Sequence, residues 1–297
     1  MARVLGQVLT PIVTPFADDG SVNVESFKRL CAYLVDNGSD GVIPAATTGE
    51  APTLTDDERL ELFAAAVDAV GDRASVIAGT GTYSTAHSVH LTEAAHELGV
   101  DGFLVVTPYY NKPPVRGIIA HFQAIADVTD KPIIAYNIPS RVVLNLEPET
   151  LIELAKIPNV QYVKQATPDL QQARRIVNES DLVLLAGNDD LTLPFLELGG
   201  KGGVFVYTHI VGPRVRELIT RFEDGDVEGA REIDGELKPV IEALAVTTNP
   251  IPVKAALNML GHEVGGLRLP LVEATEEEKA TVRAALERAG ILAGARV

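Results

Sequence analysis

Short apolar runs alternate with longer segments of helical period along most of the chain, and eight such pairs precede residue 224. Each run is mostly Val, Ile, Leu or Ala, a composition typical of strands that are buried on both faces. The predicted strands are Gln7 to Thr14, Gly41 to Ala45, Ser75 to Gly79, Gly102 to Thr107, Pro132 to Asn137, Val160 to Lys164, Leu182 to Gly187 and Gly203 to Val206. Eight consecutive units predict an α/β fold, a (β/α)8 TIM barrel, with an open doubly wound sheet as the alternative.

The strand pattern ends after residue 224, and three helical stretches follow it: Val227 to Ala245, Ile251 to Leu260 and Thr275 to Ala289. We therefore predict two domains, a barrel catalytic domain over residues 1–224 and a C-terminal helical domain over residues 225–297. Within the barrel, Thr55 and Glu58 have the spacing of a capping box at a helix start.

Composition and charge narrow the class of partner. The 297 residues include 41 acidic and 25 basic side chains, a net charge of -16, which argues against nucleic acid or an anionic membrane as partner. No apolar run approaches the roughly 20 residues of a membrane span, and the apolar part of Met1 to Gly6 is too short for a signal peptide. We predict a cytoplasmic protein whose single cysteine, Cys31, is buried in a helix face.

One predicted strand ends in a lysine. Val160 to Lys164 follows a turn at Pro158-Asn159, and its Val and Tyr content indicates a buried strand. Such a strand has no natural place for an ammonium group, and desolvation favours the neutral amine, which can attack a ketone to form a Schiff base. Lys164 is therefore the candidate nucleophile. The alternative is a lysine at the strand end whose ammonium extends to water.

Other side chains with useful chemistry also follow predicted strands, where the active site of a barrel lies. Thr47 and Thr48, beside a glycine, can bind a carboxylate through hydroxyl and backbone N–H groups, or can simply form a helix-leading loop. Arg141 can hold a second carboxylate with two hydrogen bonds, or can be a solvated loop residue. Three tyrosines can relay protons or only pack their rings; they are Tyr109, Tyr110 and Tyr136.

Several other chemistries lack support in the sequence. The six histidines are scattered, so we predict no metal site. No Gly-x-Ser-x-Gly elbow occurs, and Gly79-Thr80-Gly81 does not continue as a dinucleotide-binding turn. Glu50 and Asp189 could form the carboxylate pair of a glycosidase, but nothing in the pattern singles them out.

Taken together, the motifs resemble the dihydrodipicolinate synthase and N-acetylneuraminate lyase family, the pyruvate-dependent class I aldolases. The resemblance covers nearly the whole chain and rests on Thr-Pro-Ile-Val-Thr-Pro-Phe at 10–16, Thr-Thr-Gly-Glu at 47–50, Val-Thr-Pro-Tyr-Tyr-Asn-Lys-Pro at 106–113, Tyr-Asn-Ile-Pro-Ser-Arg at 136–141, Lys164, and Asn-Pro-Ile-Pro-Val-Lys at 249–254. Within the family, Ser140-Arg141 and the double tyrosine are most similar to the dihydrodipicolinate synthases. The resemblance thus implies a barrel lyase that acts on pyruvate and aspartate semialdehyde without a cofactor.

The resemblance also implies a role for individual residues. Lys164 would form the Schiff base with pyruvate, Tyr136 would handle protons, and Thr47 would link Tyr136 to Tyr110. In the family that last tyrosine comes from a neighbouring subunit, which implies a homo-oligomer, a dimer or a tetramer. The residues assigned to substrate binding are Thr48, Arg141, Gly187 and Val204.

Two departures from the family pattern bear on the substrate. Ala46 stands where a glycine is usual before the threonines, and Gln165 stands where a glutamate usually follows the lysine. Neither change removes a catalytic group. The alternatives to a synthase are an aldolase or lyase that acts on a sugar acid or other 2-oxo acid, and a noncatalytic binding protein that has kept the barrel.

The resemblance bears on regulation as well. Lysine-sensitive relatives have histidines at the places of Asp56 and Arg59, and an asparagine and a glutamate at those of Tyr83 and His87; only Tyr109 of that set is kept. Because a cationic amino acid needs a carboxylate for its ammonium, we predict weak or absent inhibition by lysine. The alternative is a re-formed site in which Asp56 holds the ammonium and Arg59 the carboxylate.

Overall fold

The computed structural model of the chain describes residues 5–292. It contains a closed barrel of eight parallel strands in which each strand pairs with the next along the chain and the eighth pairs with the first. The strands are β1 (Val8–Thr10), β2 (Gly41–Val42), β3 (Ser75–Gly79), β4 (Gly102–Val106), β5 (Ile133–Asn137), β6 (Val160–Gln165), β7 (Val183–Ala186) and β8 (Gly203–Val204). The predicted barrel is therefore confirmed, and the open-sheet alternative is wrong.

Side chains alternate between the inside of the barrel and the layer between strands and helices. Ile134 of β5 and Tyr162 of β6 belong to the inner cluster, whereas Ile133 and Val163 pack outward against the helices. Because successive side chains of a strand point to opposite faces, Lys164 projects to the same side as Tyr162. The alternation thus places the candidate nucleophile inside the barrel, at the end of its strand.

The helices cover the outside of the barrel and extend beyond it. They are α1 (Val24–Asp36), α2 (Asp56–Val70), α3 (Thr85–Glu97), α4 (Val115–Ala126), α5 (Pro139–Val142), α6 (Pro148–Leu154), α7 (Leu170–Glu179), α8 (Thr192–Glu197), α9 (Thr208–Glu223), α10 (Val227–Leu244), α11 (Ile251–Met259) and α12 (Glu276–Arg288). The predicted capping box is present at α2, where the Thr55 hydroxyl accepts from Glu58 N and the Glu58 carboxylate accepts from Thr55 N. Cys31 is buried in α1, as predicted.

Three helices follow residue 224 in the part of the chain that ends at residue 292, as the sequence pattern predicted. The first of them, α10, packs against α8 and α9 and lies beside the ends of the strands. Its side chains Lys238 and Glu242 line the same cavity as Lys164. The division into two domains at residue 224 stays a prediction, and its outermost parts, residues 1–4 and 293–297, lie outside the described residues.

The predicted strands differ from the structure mainly at their ends. The first extends only to Thr10 instead of Thr14, since Pro11 has no N–H with which to continue the ladder. The eighth ends at Val204 rather than Val206, because Val206 N donates to the side chain of Asp189 instead of to a strand. Within residues 5–292 no helix is both long and apolar enough to cross a membrane.

Candidate active site

A cavity of about 620 Å³ opens at the C-terminal ends of the strands. Six of the residues that the sequence predicted to act on substrate line it: Thr47, Thr48, Tyr136, Arg141, Lys164 and Gly187. They come from the ends of β2, β5, β6 and β7 and from α5, so the barrel closure assembles groups that are more than a hundred residues apart in the chain.

Lys164 and Tyr136 form the centre of this cavity. They are partners in the register of β5 and β6, and each is only 4% exposed. The Lys164 Nζ lies 4.1 Å from the centroid of the Tyr136 ring. In the described part of the chain, Nζ has no hydrogen-bond acceptor and no carboxylate within 4.0 Å. The amine is thus enclosed, unpaired and directed into open space, as a nucleophile must be.

The two threonines lie on the turn that follows β2. The Thr48 side chain is buried, and its Oγ1 accepts a hydrogen bond of 2.9 Å from Asn249 Nδ2. The Thr48 hydroxyl proton therefore remains free to donate to another acceptor. Thr47 lines the main cavity and also a smaller one next to it, of about 230 Å³.

Arg141 stands at the rim of the main cavity, on the short helix α5. Its Nη2 donates to Thr248 Oγ1 at 3.3 Å and to the Asn249 carbonyl at 3.2 Å. Its other guanidinium N–H groups are available, because no carboxylate forms an ion pair with it within residues 5–292. A permanently charged guanidinium group beside a cavity, with N–H groups still available, can bind a carboxylate.

Two predicted site residues do not line this cavity. Tyr110 is 91% exposed in the isolated chain and has a positive φ of 73°. Val204 is 1% exposed and packs in the inner cluster of the barrel, while Val206 lines the cavity instead. The assigned roles of both residues stay predictions.

The cavity also contains two carboxyl groups, Asp189 and Asp234, to which the resemblance assigned no role. Asp189 accepts hydrogen bonds of 2.9 Å from Val206 N and from Tyr207 N, and burial raises its pKa to about 7. Asp234, on α10, lines the same cavity, and burial raises its pKa above the ordinary value. Asp189 is thus held by backbone donors, and it fixes the loop that follows β8.

The carboxylate of Glu50 forms an ion pair with a lysine and is not available to a substrate. Both Glu50 and Lys254 are buried, and Lys254 Nζ lies 2.9 Å from Glu50 Oε1. The glycosidase alternative of the sequence therefore loses its support, since Glu50 serves an ion pair and Asp189 a backbone turn. Sequence reasoning also missed Asn249, although the motif at 249–254 was the signal that could have found it. In residues 5–292 no group of three His, Cys, Asp or Glu side chains could hold a metal ion.

The two departures from the family pattern have defined surroundings. Gln165 is fully buried on the helix-facing side of β6, where its Oε1 accepts from Asn137 Nδ2 at 3.1 Å and its Nε2 donates to Thr167 Oγ1 at 3.2 Å. A carboxylate could not donate to Thr167 Oγ1 and would instead have to accept from that hydroxyl group. Ala46 lines the smaller cavity and does not narrow the main one.

The smaller cavity shares Thr47, Tyr136 and Arg141 with the main one and extends to Arg59 and Tyr109. The Arg59 Nη2 donates to the Ala51 carbonyl at 2.6 Å, while its Nε is buried and has no hydrogen-bond partner among residues 5–292. A third cavity, of about 520 Å³, lies between α11 and α12 and contains none of the predicted site residues.

Comparison with known proteins agrees with this geometry. The model of the dihydrodipicolinate synthetase family matches residues 4–289. The chain belongs to this family. A 4-hydroxy-tetrahydrodipicolinate synthase of Moorella thermoacetica is 50% identical over 289 residues, which cover 97% of this chain and 99% of that protein.

Solved structures of the family match over the same share of this chain. Dihydrodipicolinate synthase from Cyanidioschyzon merolae with lysine bound has a TM-score of 0.95 and 45% identity, and the match covers 97% of this chain and 99% of that one. The chloride-inhibited enzyme from Acinetobacter baumannii complexed with pyruvate has a TM-score of 0.94 and 33% identity, with 97% and 100% covered. The predicted family, its barrel fold and the assignment to the lyases are therefore confirmed.

Proposed function

We propose that the chain condenses pyruvate with L-aspartate 4-semialdehyde to 4-hydroxy-tetrahydrodipicolinate through a Schiff base on Lys164. The observation that carries this proposal is the enclosed, unpaired Lys164 amine beside the Tyr136 ring, in a cavity that also contains Thr48 and Arg141. A nucleophilic amine with two separate carboxylate-binding groups suits a reaction that joins two carboxylic acids.

The reaction begins with attack of Lys164 Nζ on C2 of pyruvate, which gives a carbinolamine. Loss of water leaves the imine, and loss of a proton from C3 gives an enamine. The enamine C3 then attacks the aldehyde carbon of the acceptor. Finally, the amino group of the acceptor attacks C2, which closes the ring and releases the free Lys164 amine. The protonated imine itself withdraws the electrons, so no metal or organic cofactor takes part.

The residues around Lys164 bind the substrate carboxylates and transfer protons. Thr48 donates a hydrogen bond from its hydroxyl group to the carboxylate of pyruvate, and Arg141 binds the carboxylate of the acceptor. Tyr136 carries protons to and from the carbinolamine, since its hydroxyl group can both donate and accept. Gly187 lets the end of β7 lie close to the segment after β6 at the cavity wall, because a methyl group there would approach the Ala166 side chain to 2.8 Å.

Carboxylates in the cavity favour an acceptor that carries an ammonium group. Asp190, Asp234 and Glu242 line the cavity together with the groups proposed to bind carboxylates. Lys238 also lines the cavity and offsets part of this negative charge. An amino aldehyde that bears its own carboxylate can satisfy both kinds of group, whereas the hydroxyl groups of a neutral sugar chain would leave the rest of the negative charge unbalanced. This observation favours aspartate semialdehyde over a sugar as acceptor.

A direct assay tests the function. Purified protein with pyruvate and aspartate semialdehyde should give the ring product, identified by mass, and the same protein should cleave N-acetylneuraminate at a far lower kcat/KM. A higher kcat/KM for the sugar acid would select the aldolase alternative. Pyruvate binding in a calorimeter without turnover of either substrate would select the binding-protein alternative.

The position of Tyr110 supports a homo-oligomer. Its side chain projects into solvent in the isolated chain, while Asn111 Nδ2 of the same loop donates to the Tyr83 carbonyl at 2.9 Å. A tyrosine held outward on a bonded loop can enter the site of a second copy and reach Thr47 there. A symmetric dimer would then exchange Tyr110 in both directions.

Complementation between two weak variants measures this exchange. Tyr110→Phe and Lys164→Ala should each be nearly inactive, but co-expression should restore about a quarter of the sites, because half of the dimers are mixed and each mixed dimer has one intact site. The control is the same pair of proteins expressed separately and mixed without exchange of subunits. Activity that never exceeds the sum of the two variants would place Tyr110 in the site of its own chain.

Lysine should inhibit weakly or not at all. His87 Nε2 lies 2.8 Å from Asp56 Oδ1 and 3.0 Å from Oδ2, so the carboxylate that would have to bind the ammonium of lysine already has a partner. Initial rates with and without millimolar lysine, at low and saturating pyruvate, measure the effect. Strong partial inhibition that Asp56→Asn removes would instead show a re-formed site.

A further inference from the structure

An ion pair outside the substrate cavity connects the C-terminal helices to the turn after β2, residues 47–50, which contains Thr47 and Thr48. Lys254, on α11, and Glu50, which ends the turn, have side chains that are 1% and 0% exposed. Lys254 Nζ lies 2.9 Å from Glu50 Oε1 and also donates to the carbonyls of Thr14 and Gly266. All three ammonium protons therefore have acceptors, and the pair joins three segments of the chain.

Glu50 fixes the turn on one side. Its φ is 57°, a left-handed conformation that is uncommon outside glycine, and its N–H donates to the Thr47 carbonyl at 3.1 Å. The second carboxylate oxygen accepts from Arg268 N at 3.1 Å. Thr48 lies between Thr47 and Glu50 in this turn. Its position therefore depends on where the Glu50 carboxylate is held.

Lys254 fixes the opposite side, through the segment that leads into α11. Asn249 of this segment donates from Nδ2 to Thr48 Oγ1 at 2.9 Å, and its carbonyl accepts from Arg141 Nη2 at 3.2 Å. One short stretch of chain thus contacts both groups that are proposed to bind substrate carboxylates. The ion pair is the anchor of that stretch in the barrel.

We propose that Glu50 and Lys254 are positioning residues, whose ion pair sets the distance between Thr48 and Arg141 and so the spacing of the two bound substrates. This inference rests on the proposed condensation. Neither side chain touches the reacting atoms, and both act through Asn249 and the turn. Buried ion pairs are expensive to desolvate and can often be replaced by neutral groups without loss of stability, so positioning accounts for the pair better than stability does.

The double variant Glu50→Gln with Lys254→Met separates the two roles. Each single change leaves one buried group without its partner, so both single variants should have a lower Tm. The double variant should recover most of that Tm, yet its KM for both substrates should stay at least about tenfold higher than that of the unaltered enzyme, with a smaller change in kcat. A double variant with unaltered KM values and recovered Tm would overturn the proposal.

Glu50→Asp provides a second test that does not depend on recovery of Tm. It keeps both charges but shortens the link by one methylene, so KM should rise several-fold for both substrates while Lys254→Met in the same background adds little further increase. Unaltered KM values for Glu50→Asp would contradict the positioning role. The matched control is the exposed pair of Lys28 and Asp68, 2.8 Å apart, whose double replacement by Met and Asn should leave KM unchanged.

Borohydride reduction of the unaltered enzyme with pyruvate distinguishes this proposal from the function on which it rests. If the unaltered enzyme forms no reduced adduct, the condensation mechanism fails, whatever the variants do. If it forms the adduct and condenses both substrates while the variants keep their KM values, only the positioning role fails.

Discussion

Replacing Lys164 with alanine is expected to abolish condensation, with kcat lower by a factor on the order of 10⁴ or more, because the variant lacks the amine on which the imine is proposed to form. Borohydride added in the presence of pyruvate should attach one reduced pyruvate to the unaltered protein and none to Lys164→Ala. The mass of the intact protein gives the stoichiometry. Peptide mapping then identifies the labelled residue.

Lys238 is the matched control for this experiment. It is an exposed lysine that lines the same cavity, on α10, and so it has access to the same pyruvate. Its side chain is exposed to water rather than enclosed beside Tyr136, so Lys238→Ala should keep the full label. Label on Lys238, or label that survives Lys164→Ala, would contradict the Schiff-base assignment.

The barrel could be predicted well from the sequence because the signal for each strand lies within a few neighbouring residues. Each strand is a short apolar run, and the end of each run marks the side of the barrel where the active site lies. Lys164 and Tyr136 could therefore be assigned to one cavity although 28 residues separate them, and the structure pairs them in register. The face to which Lys164 points also follows from the alternation of side chains along β6.

The supports of the site could not be predicted in the same way. Glu50 and Lys254 are separated by 204 residues, and Asn249 lies 201 residues after Thr48. No periodicity links such positions, because their proximity depends on how α11 packs against the barrel. The exposed position of Tyr110 is likewise set by the backbone of its loop, and only the resemblance to a family suggested a neighbouring subunit.

Arg141 is proposed to bind the carboxylate of the acceptor. Arg141→Ala should lower kcat/KM for aspartate semialdehyde roughly thirtyfold, which corresponds to a loss of about 2 kcal/mol of transition-state binding. This value is at the lower end of the roughly 2 to 5 kcal/mol lost when one partner of a buried charge pair is removed, because Arg141 is partly solvated. Borohydride trapping of pyruvate should survive, since Thr48 and Lys164 are the residues proposed to hold pyruvate. Arg141→Lys keeps the charge but loses the fork, so it should recover only part of the loss. If trapping disappears together with acceptor turnover, Arg141 binds pyruvate instead, and the carboxylate of the acceptor must contact another residue of the cavity.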